Sequence, residues 1–330
     1  MNWELIFSNA VYVAFSSSAA AYALIAIGIN VHIGYTGLLN FGQAGFAAAG
    51  AYGMAIPLAT FGWHWTAAIG SSIFFAILLA LLLGAPTLRL RSDYLAIVTI
   101  AAAEIIRISM MSVRFTWLTG GTDGKKGFAD FLVDSNPFGD NRYQFFAQSV
   151  NGYSLYITII GWILVAIFGS LVYFMMRGPW GRALRGIRED ETAVRSLGKS
   201  VTKFKMQSLV LGGVIGAVGG IILASEKQSA QPMEYGTTLT FFAFTIVILG
   251  GLATARGPII GAVIFWFILQ FVDNVLEQAT RNEVVPTWVV NGNNFGQVKF
   301  ILAGFALALL VVFRPQGIYG NKREMSFDSR

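Results

Sequence analysis

Residues 179–205 read PWGRALRGIREDETAVRSLGKSVTKFK. The segment carries Arg182, Arg185, Arg188, Arg195, Lys199, Lys203 and Lys205, and an apolar run long enough to cross a bilayer lies on either side of it. Arginine and lysine concentrate on the cytoplasmic side of membrane proteins, so this segment orients the helices that flank it. It is too long for a simple turn, and its pattern predicts one or two short helices. A helical loop of this size has little means of doing chemistry in the cytosol. It suits a docking surface that receives force from a partner.

Working outward, the chain has 330 residues, of which 55% are hydrophobic and 12% charged, against about 25% charged in soluble domains. Several stretches of about 17–24 residues are apolar and nearly free of charge, the length a helix needs to span about 30 Å of hydrocarbon. Short alternating segments of the kind a lipid-facing barrel requires are absent. The reading is an all-α polytopic membrane protein with about nine transmembrane helices, within eight to ten. The spans are 8–29, 39–59, 65–85, 94–112, 153–176, 206–225, 239–252, 256–275 and 297–313. The seventh is short enough to be tilted, broken or partly re-entrant. The first run, Phe7–Asn30, follows Glu4 instead of a positive n-region and reads as a retained helix, not a signal peptide.

This gives one transmembrane domain over 1–330, with an extracytoplasmic loop at 114–152, a cytosolic loop at 177–205 and a cytosolic tail at 314–330. The N-terminus falls outside and the C-terminus inside. The loops assigned inside (30–38, 86–93, 177–205, 253–255 with Arg256, and 314–330) carry 15 Lys and Arg, and those assigned outside (114–152, 226–238 and 276–296) carry 6, although the latter are longer in total. That asymmetry agrees with the positive-inside rule for a multi-pass protein.

Composition also excludes. With no cysteine, thiol redox chemistry, iron–sulfur clusters and cysteine-ligated zinc are out. His32 and His64 are far apart and read as interfacial residues at helix ends, not metal ligands. The net charge of +6 sits in the loops and reflects membrane topology, not a nucleic-acid footprint. The run GKS at 198–200 lacks the first glycine of a phosphate-binding loop, because Ala193 stands there. No serine–histidine–carboxylate set or metal motif is present, so neither enzyme activity nor a cofactor is expected.

Within the fourth span, Glu104 and Arg107 form an i, i+3 pair. Charges in a bilayer are expensive, so the pair reads first as a buried structural ion pair, and second as part of a substrate path or gate. Small residues recur at four-residue spacing in Gly45, Ala49, Gly53, in Gly212, Gly216, Gly220 and in Gly257, Gly261. Such ridges let helix backbones approach closely, either within this chain or at a partner seam. The outer loop holds TGGTDG at 119–124, a tight-turn sequence, and Lys125, Lys126, Asp130, Asp134, Asp140 and Arg142. The spacing of its carboxylates does not suit calcium. It reads as a folded loop that a second protein meets, through Gly120, Gly121, Asp123, Lys125 and Lys126.

The segments GYTGLLNFGQAGFAAAGAYG (34–53), LRSDYLAIVTIAAAEIIR (90–107), LTGGTDG (118–124), GRALRGIREDETAVRSLGKSVTKFK (181–205) and FRPQGIYG (313–320) together resemble the LivM-like permeases of ABC importers for branched-chain amino acids. The resemblance covers nearly the whole chain. It implies a multi-pass subunit in the lipid bilayer of the cytoplasmic (inner) membrane of a prokaryote, with a second homologous permease subunit, two cytosolic ATPase subunits and an extracytoplasmic substrate-binding protein as partners. It also implies that 181–205 is a coupling loop fitting a cleft on an ATPase, through Arg182, Arg185, Arg188, Glu189, Glu191 and Gly198. The family's EAA-xxx-G form is imperfect here: six residues before Gly198 stands Thr192, and Glu191 is one place early. Related importers for urea or short amides look much alike and stay open. So does an ion-coupled secondary transporter with Glu104 and Arg107 in its coupling site and broken helices at 34–53 and 239–261.

Overall fold

The structure, a computed structural model, describes residues 2–88, 92–139, 141–145, 148–281, 295–314 and 316–320. Its helices are α1 (Trp3–Ala14), α2 (Ser17–Ile29), α3 (Gln43–Phe61), α4 (Trp65–Thr87), α5 (Ser92–Met111), α6 (Thr116–Thr119), α7 (Asp130–Asp134), α8 (Gly152–Arg177), α9 (Pro179–Glu189), α10 (Glu191–Ser196), α11 (Val201–Lys227), α12 (Thr237–Gly250), α13 (Gly257–Arg281) and α14 (Phe295–Phe313). The described strands are β1 (Lys125–Lys126), β2 (Arg142–Phe145), β3 (Gln148–Asn151) and β4 (Ser229–Ala230), paired antiparallel as β1–β4 and β2–β3. Among the described residues, 7 helical stretches are long and apolar enough to cross a bilayer. The architecture is that of an all-α polytopic membrane protein, with its backbone polar groups satisfied inside helices.

The expected first span, 8–29, is two helices. Ser16 separates them: its hydroxyl donates to the Val13 carbonyl at 2.8 Å and accepts from the Ala19 N–H at 3.4 Å, capping α2. α1 packs on the later turns of α13, where Asn9 Nδ2 donates to Asn274 Oδ1 at 3.0 Å and Asn274 Nδ2 to the Ile6 carbonyl at 3.3 Å.

The stretch 30–38, expected as an inside loop, is instead a continuation of α2 into a largely buried π-helical segment, Asn30–Thr36. His32, expected at an interface, is therefore only 1% exposed. Its ring meets the Leu209 carbonyl at 3.2 Å and Asn40 Nδ2 at 3.1 Å. Asn30 works like a short strand: it accepts from the Ala253 N–H and donates to the Thr254 carbonyl, both at 2.9 Å, and so clamps the turn between α12 and α13. Beyond Gly37 (φ +75) the chain is non-helical to Gly42 and lies along the middle of α5, where the Phe41 N–H donates to Thr99 Oγ1 at 3.1 Å. Irregular backbone survives at this depth because protein covers it.

The core is built by α11 against α2 and α3, and small residues make that contact possible. A Cβ on Gly220 would lie 2.0 Å from the Ala47 carbonyl oxygen, and one on Gly50 would lie 2.0 Å from that of Ala217. The glycines of all the ridges seen in the sequence pack within this chain: Gly45 against Ala103, Gly53 against Ser72, Gly216 against Gln43 and Gly261 against Ile246.

α12 has only 14 residues, about 21 Å at 1.5 Å per residue. Its last carbonyls, Leu249 and Gly250, accept from the Ile318 and Tyr319 N–H groups, each at 2.9 Å. The FRPQGIYG segment thus closes the end of a short helix. α8, with 26 residues, is about 39 Å long and separates the 114–151 end of the molecule from the α9–α10 end. Phe61, Trp63, Trp65 and Trp117 are exposed toward the first of these ends, as in the aromatic belt of a membrane interface. Arg89, Arg91, Asp140, 282–294 and the tail from 321 onward, with Lys322, Arg323 and Arg330, lie outside the described residues.

Candidate functional site

The basic segment folds as two helices joined at one residue. Pro179 suits the first turn of α9, where no N–H partner is needed. Asp190 ends α9 in an extended conformation (φ −154, ψ 106) and starts α10, its carboxylate accepting from the Thr192 and Ala193 N–H groups at 2.7 and 3.1 Å. Those donors, that of Ala193 foremost, hold the Asp190 carboxyl below its ordinary pKa. Gly198, at φ +75, carries the chain out of α10 with its N–H on the Arg195 carbonyl at 3.0 Å.

Burial folds the segment back on itself. Ile187, Val194 and Val201 are buried together with Phe204 packed against them, and Glu191 pairs with Lys205 on α11. Two arginines reach the transmembrane body. Arg185 Nη2 donates to the Met176 carbonyl at 2.6 Å, and Arg188 Nη1 donates to the Gly34 carbonyl at the end of the π-helical segment. Gly37 lies beneath Arg188, where a Cβ would come 3.2 Å from Arg188 Cγ. Arg182, Glu189, Arg195 and Lys199 face outward, as does Leu197, which is 78% exposed. The six residues singled out in the sequence therefore divide. Arg185, Arg188 and Glu191 hold the loop to the bundle, Gly198 shapes it, and Arg182 and Glu189 remain on its surface. Gly34, Gly37 and the Met176 carbonyl were not foreseen; the GYTG glycines were the available signal.

At the opposite end, Gly120, Gly121 and Gly124 all have positive φ, at 80, 63 and 75°. They are turn-formers: the segment docks on the α11–α12 connection through β1–β4, with Lys125 opposite Ala230. Lys125 is half-buried and its Nζ lies 3.5 Å from the Trp117 carbonyl, whereas Asp123 and Lys126 are exposed. No group of three or more His, Cys, Asp or Glu able to hold a metal occurs among the described residues.

Glu104 and Arg107 join side by side on α5, Arg107 Nε to Glu104 Oε2 at 3.0 Å and Nη2 to Oε1 at 2.5 Å. The pair is not enclosed by this chain, since the Glu104 side chain is 36% and that of Arg107 18% exposed. Arg107 Nη1 meets two thioether sulfurs, Met111 Sδ at 3.2 Å and Met233 Sδ at 3.3 Å. A single charge at a helix centre costs about 2.5–3.5 kcal/mol on insertion scales, so an open pair facing acyl chains would be disfavoured.

Residues 11–290 match the family described as branched-chain amino acid transport system / permease component. The chain belongs to this family. As a member of the branched-chain amino acid permease family it is an ABC-importer permease and not an enzyme. The high-affinity branched-chain amino acid transport system permease protein LivM of Salmonella typhimurium is 28% identical over 90% of this chain and 67% of its own length. The ribose import permease protein RbsC of Haemophilus influenzae is 30% identical, over 46% of this chain and 48% of its own length. Among solved structures, PsaBC from Streptococcus pneumoniae in complex with Fab covers 94% of this chain and 92% of its own, at 15% identity and a TM-score of 0.45. Within the permease fold, 34–37 lies under α9 and 41–42 along α5, so three of the quoted segments meet, while 317–320 closes α12.

Proposed function

We propose that this permease is the membrane subunit of an ATP-driven, binding-protein-dependent importer for branched-chain amino acids. The observation that carries the coupling part of the reading is the α9–α10 loop. Its outer surface bears Arg182, Glu189, Arg195 and Leu197, while Arg188 and the Glu191–Lys205 pair tie it to α2 and α11. A rigid knob anchored in two transmembrane helices transmits displacement; a floppy loop would absorb it. Closure of two cytosolic ATPases on two such knobs would rock the helix bundles between outward and inward access, with no catalytic group in the permease itself. A second, homologous permease completes the path, and a substrate-binding protein docks at the 114–152 end, through exposed Asp123 and Lys126.

The choice of branched-chain amino acids is supported by the breadth of the similarity to LivM, which spans the chain, whereas that to the ribose permease covers less than half. The test is purification of the permease with its ATPases and binding protein, reconstitution, and a screen of leucine, isoleucine, valine, ribose and urea for stimulated ATP hydrolysis. Stimulation by the aliphatic amino acids is expected. Stimulation by ribose or urea alone would replace the substrate, and transport driven by an ion gradient without ATP would replace the class.

A further inference from the structure

α5 is the least buried of the 7 long apolar helices. One of its faces is open, with Ile105 64% and Ile108 56% exposed. Glu104 and Arg107 flank that face. Arg107 is four residues from the end of α5 at Met111, so the pair sits about 6–10 Å below the helix end along the axis, within the apolar zone. The neighbouring α12 continues the open face with Phe241 and Ile248. An acid–base pair at this depth and this openness belongs against water or another polar surface, not against lipid.

The donor side of the pair is under-used. Arg107 directs Nη1 at Met111 and Met233, and thioether sulfur is a weak acceptor. A carboxylate would displace it readily, because carboxylate–guanidinium bonds are among the strongest available to a side chain. Glu104, the more exposed partner, presents the complementary charge for an ammonium. We propose that Glu104 and Arg107 form a transient docking site for the two charged ends of an α-amino acid on its way through the permease, at the seam with the second permease chain. The zwitterion's carboxylate takes Arg107 and its ammonium takes Glu104. Two opposite charges meet two opposite charges, so the site stays neutral at every stage and no charge is stranded during passage. A neutral sugar can offer such a pair hydroxyls but no matching charges. The inference rests on the importer reading above and names the residues that meet its zwitterionic substrate.

The chain contains no cysteine, so an introduced cysteine is unique within this subunit and its labelling is read on the separated permease band. In the reconstituted complex, Ile108→Cys should react with a water-soluble maleimide, and leucine with binding protein and ATP should slow that reaction at least threefold. Absence of labelling would place this face in lipid and overturn the proposal. Uptake of radiolabelled leucine per assembled complex should fall at least tenfold in Glu104→Gln and in Arg107→Gln, in maximal rate and not in apparent KM, which the binding protein sets. The double variant Glu104→Gln with Arg107→Gln separates this role from a structural one. It should restore the yield of complex without restoring uptake. Recovery of uptake in the double variant would make the pair structural only and end the proposal. If the unmodified complex takes up no amino acid at all, the importer reading itself fails, a result distinct from either.

Discussion

Arg188 on α9 donates to the backbone carbonyl of Gly34 on the π-helical segment that ends α2, with Gly37 packed beneath its side chain. A charged donor on a backbone carbonyl is worth about 1.5–3 kcal/mol, enough to make the loop and the helix move as one body. Arg188→Ala should therefore leave ATP hydrolysis in the assembled complex but lower leucine uptake per ATP about tenfold. Arg182→Ala, on the exposed face, should instead weaken association with the ATPase. Equal uptake-to-hydrolysis ratios in Arg188→Ala and the unmodified complex would count against the anchor.

Arg185 and Glu189 separate in the same way. Arg185 caps the Met176 carbonyl, and Glu189 is open to solvent. Arg185→Ala should reduce thermal stability in detergent by about 1–3 kcal/mol, while Glu189→Ala should change stability by less than about 0.5 kcal/mol, as surface changes do, yet reduce coupled transport. Full transport after deletion of 186–196 would dismiss a coupling role for the loop.

Gly220 should tolerate nothing larger. A Cβ there meets the Ala47 carbonyl oxygen at 2.0 Å, and overpacking of this kind costs about 1–3 kcal/mol or more. Gly70 on α4 has nothing within 4 Å, so Gly70→Ala should be neutral or stabilise by up to about 1 kcal/mol. Thermal unfolding of the two variants in detergent gives the comparison.

Asp190 gives the α9–α10 loop an acid-labile joint. Its folded pKa is depressed by the Ala193 and Thr192 N–H groups. A depressed carboxyl contributes stability that is complete above its ordinary value of 3.8 and is lost as pH falls through the lower folded value. Protection of the α10 amides against hydrogen exchange should therefore decrease below about pH 4 in the natural chain. In Asp190→Asn, which retains a capping oxygen but cannot titrate, it should not.

At the other end, Lys126 is exposed on the 114–152 loop, while Lys125 is half-buried. Lys126→Glu should slow uptake at low salt with the difference shrinking as ionic strength rises, because rim charges act chiefly on encounter rates and are screened. The order of preference among substrates should not move. A salt-independent loss would point to misfolding of the loop.

The membrane-spanning character, the basic loop with its one or two short helices, and the brevity of the seventh span could be read directly from residues, because each depends on composition and local pattern alone. Apolar length sets a span, whereas the division of the loop into two helices at Asp190, between Pro179 and Gly198, was shown by the structure. The glycine ridges could also be read from residues, though not what they face. Tertiary structure decided the rest. The continuation of α2 through Asn30–Thr36 depends on partners more than 170 positions away, such as Leu209 for His32 and Ala253 for Asn30. Which of the loop's charges are anchors is likewise settled by the Met176 and Gly34 carbonyls, which have no side-chain identity in a sequence. Glu104 and Arg107 are neighbours on a helix by spacing alone, but whether they are enclosed depends on how α5 sits at the edge of the bundle. Local physics specifies the elements; the side on which each polar group finds its partner is a property of the packing.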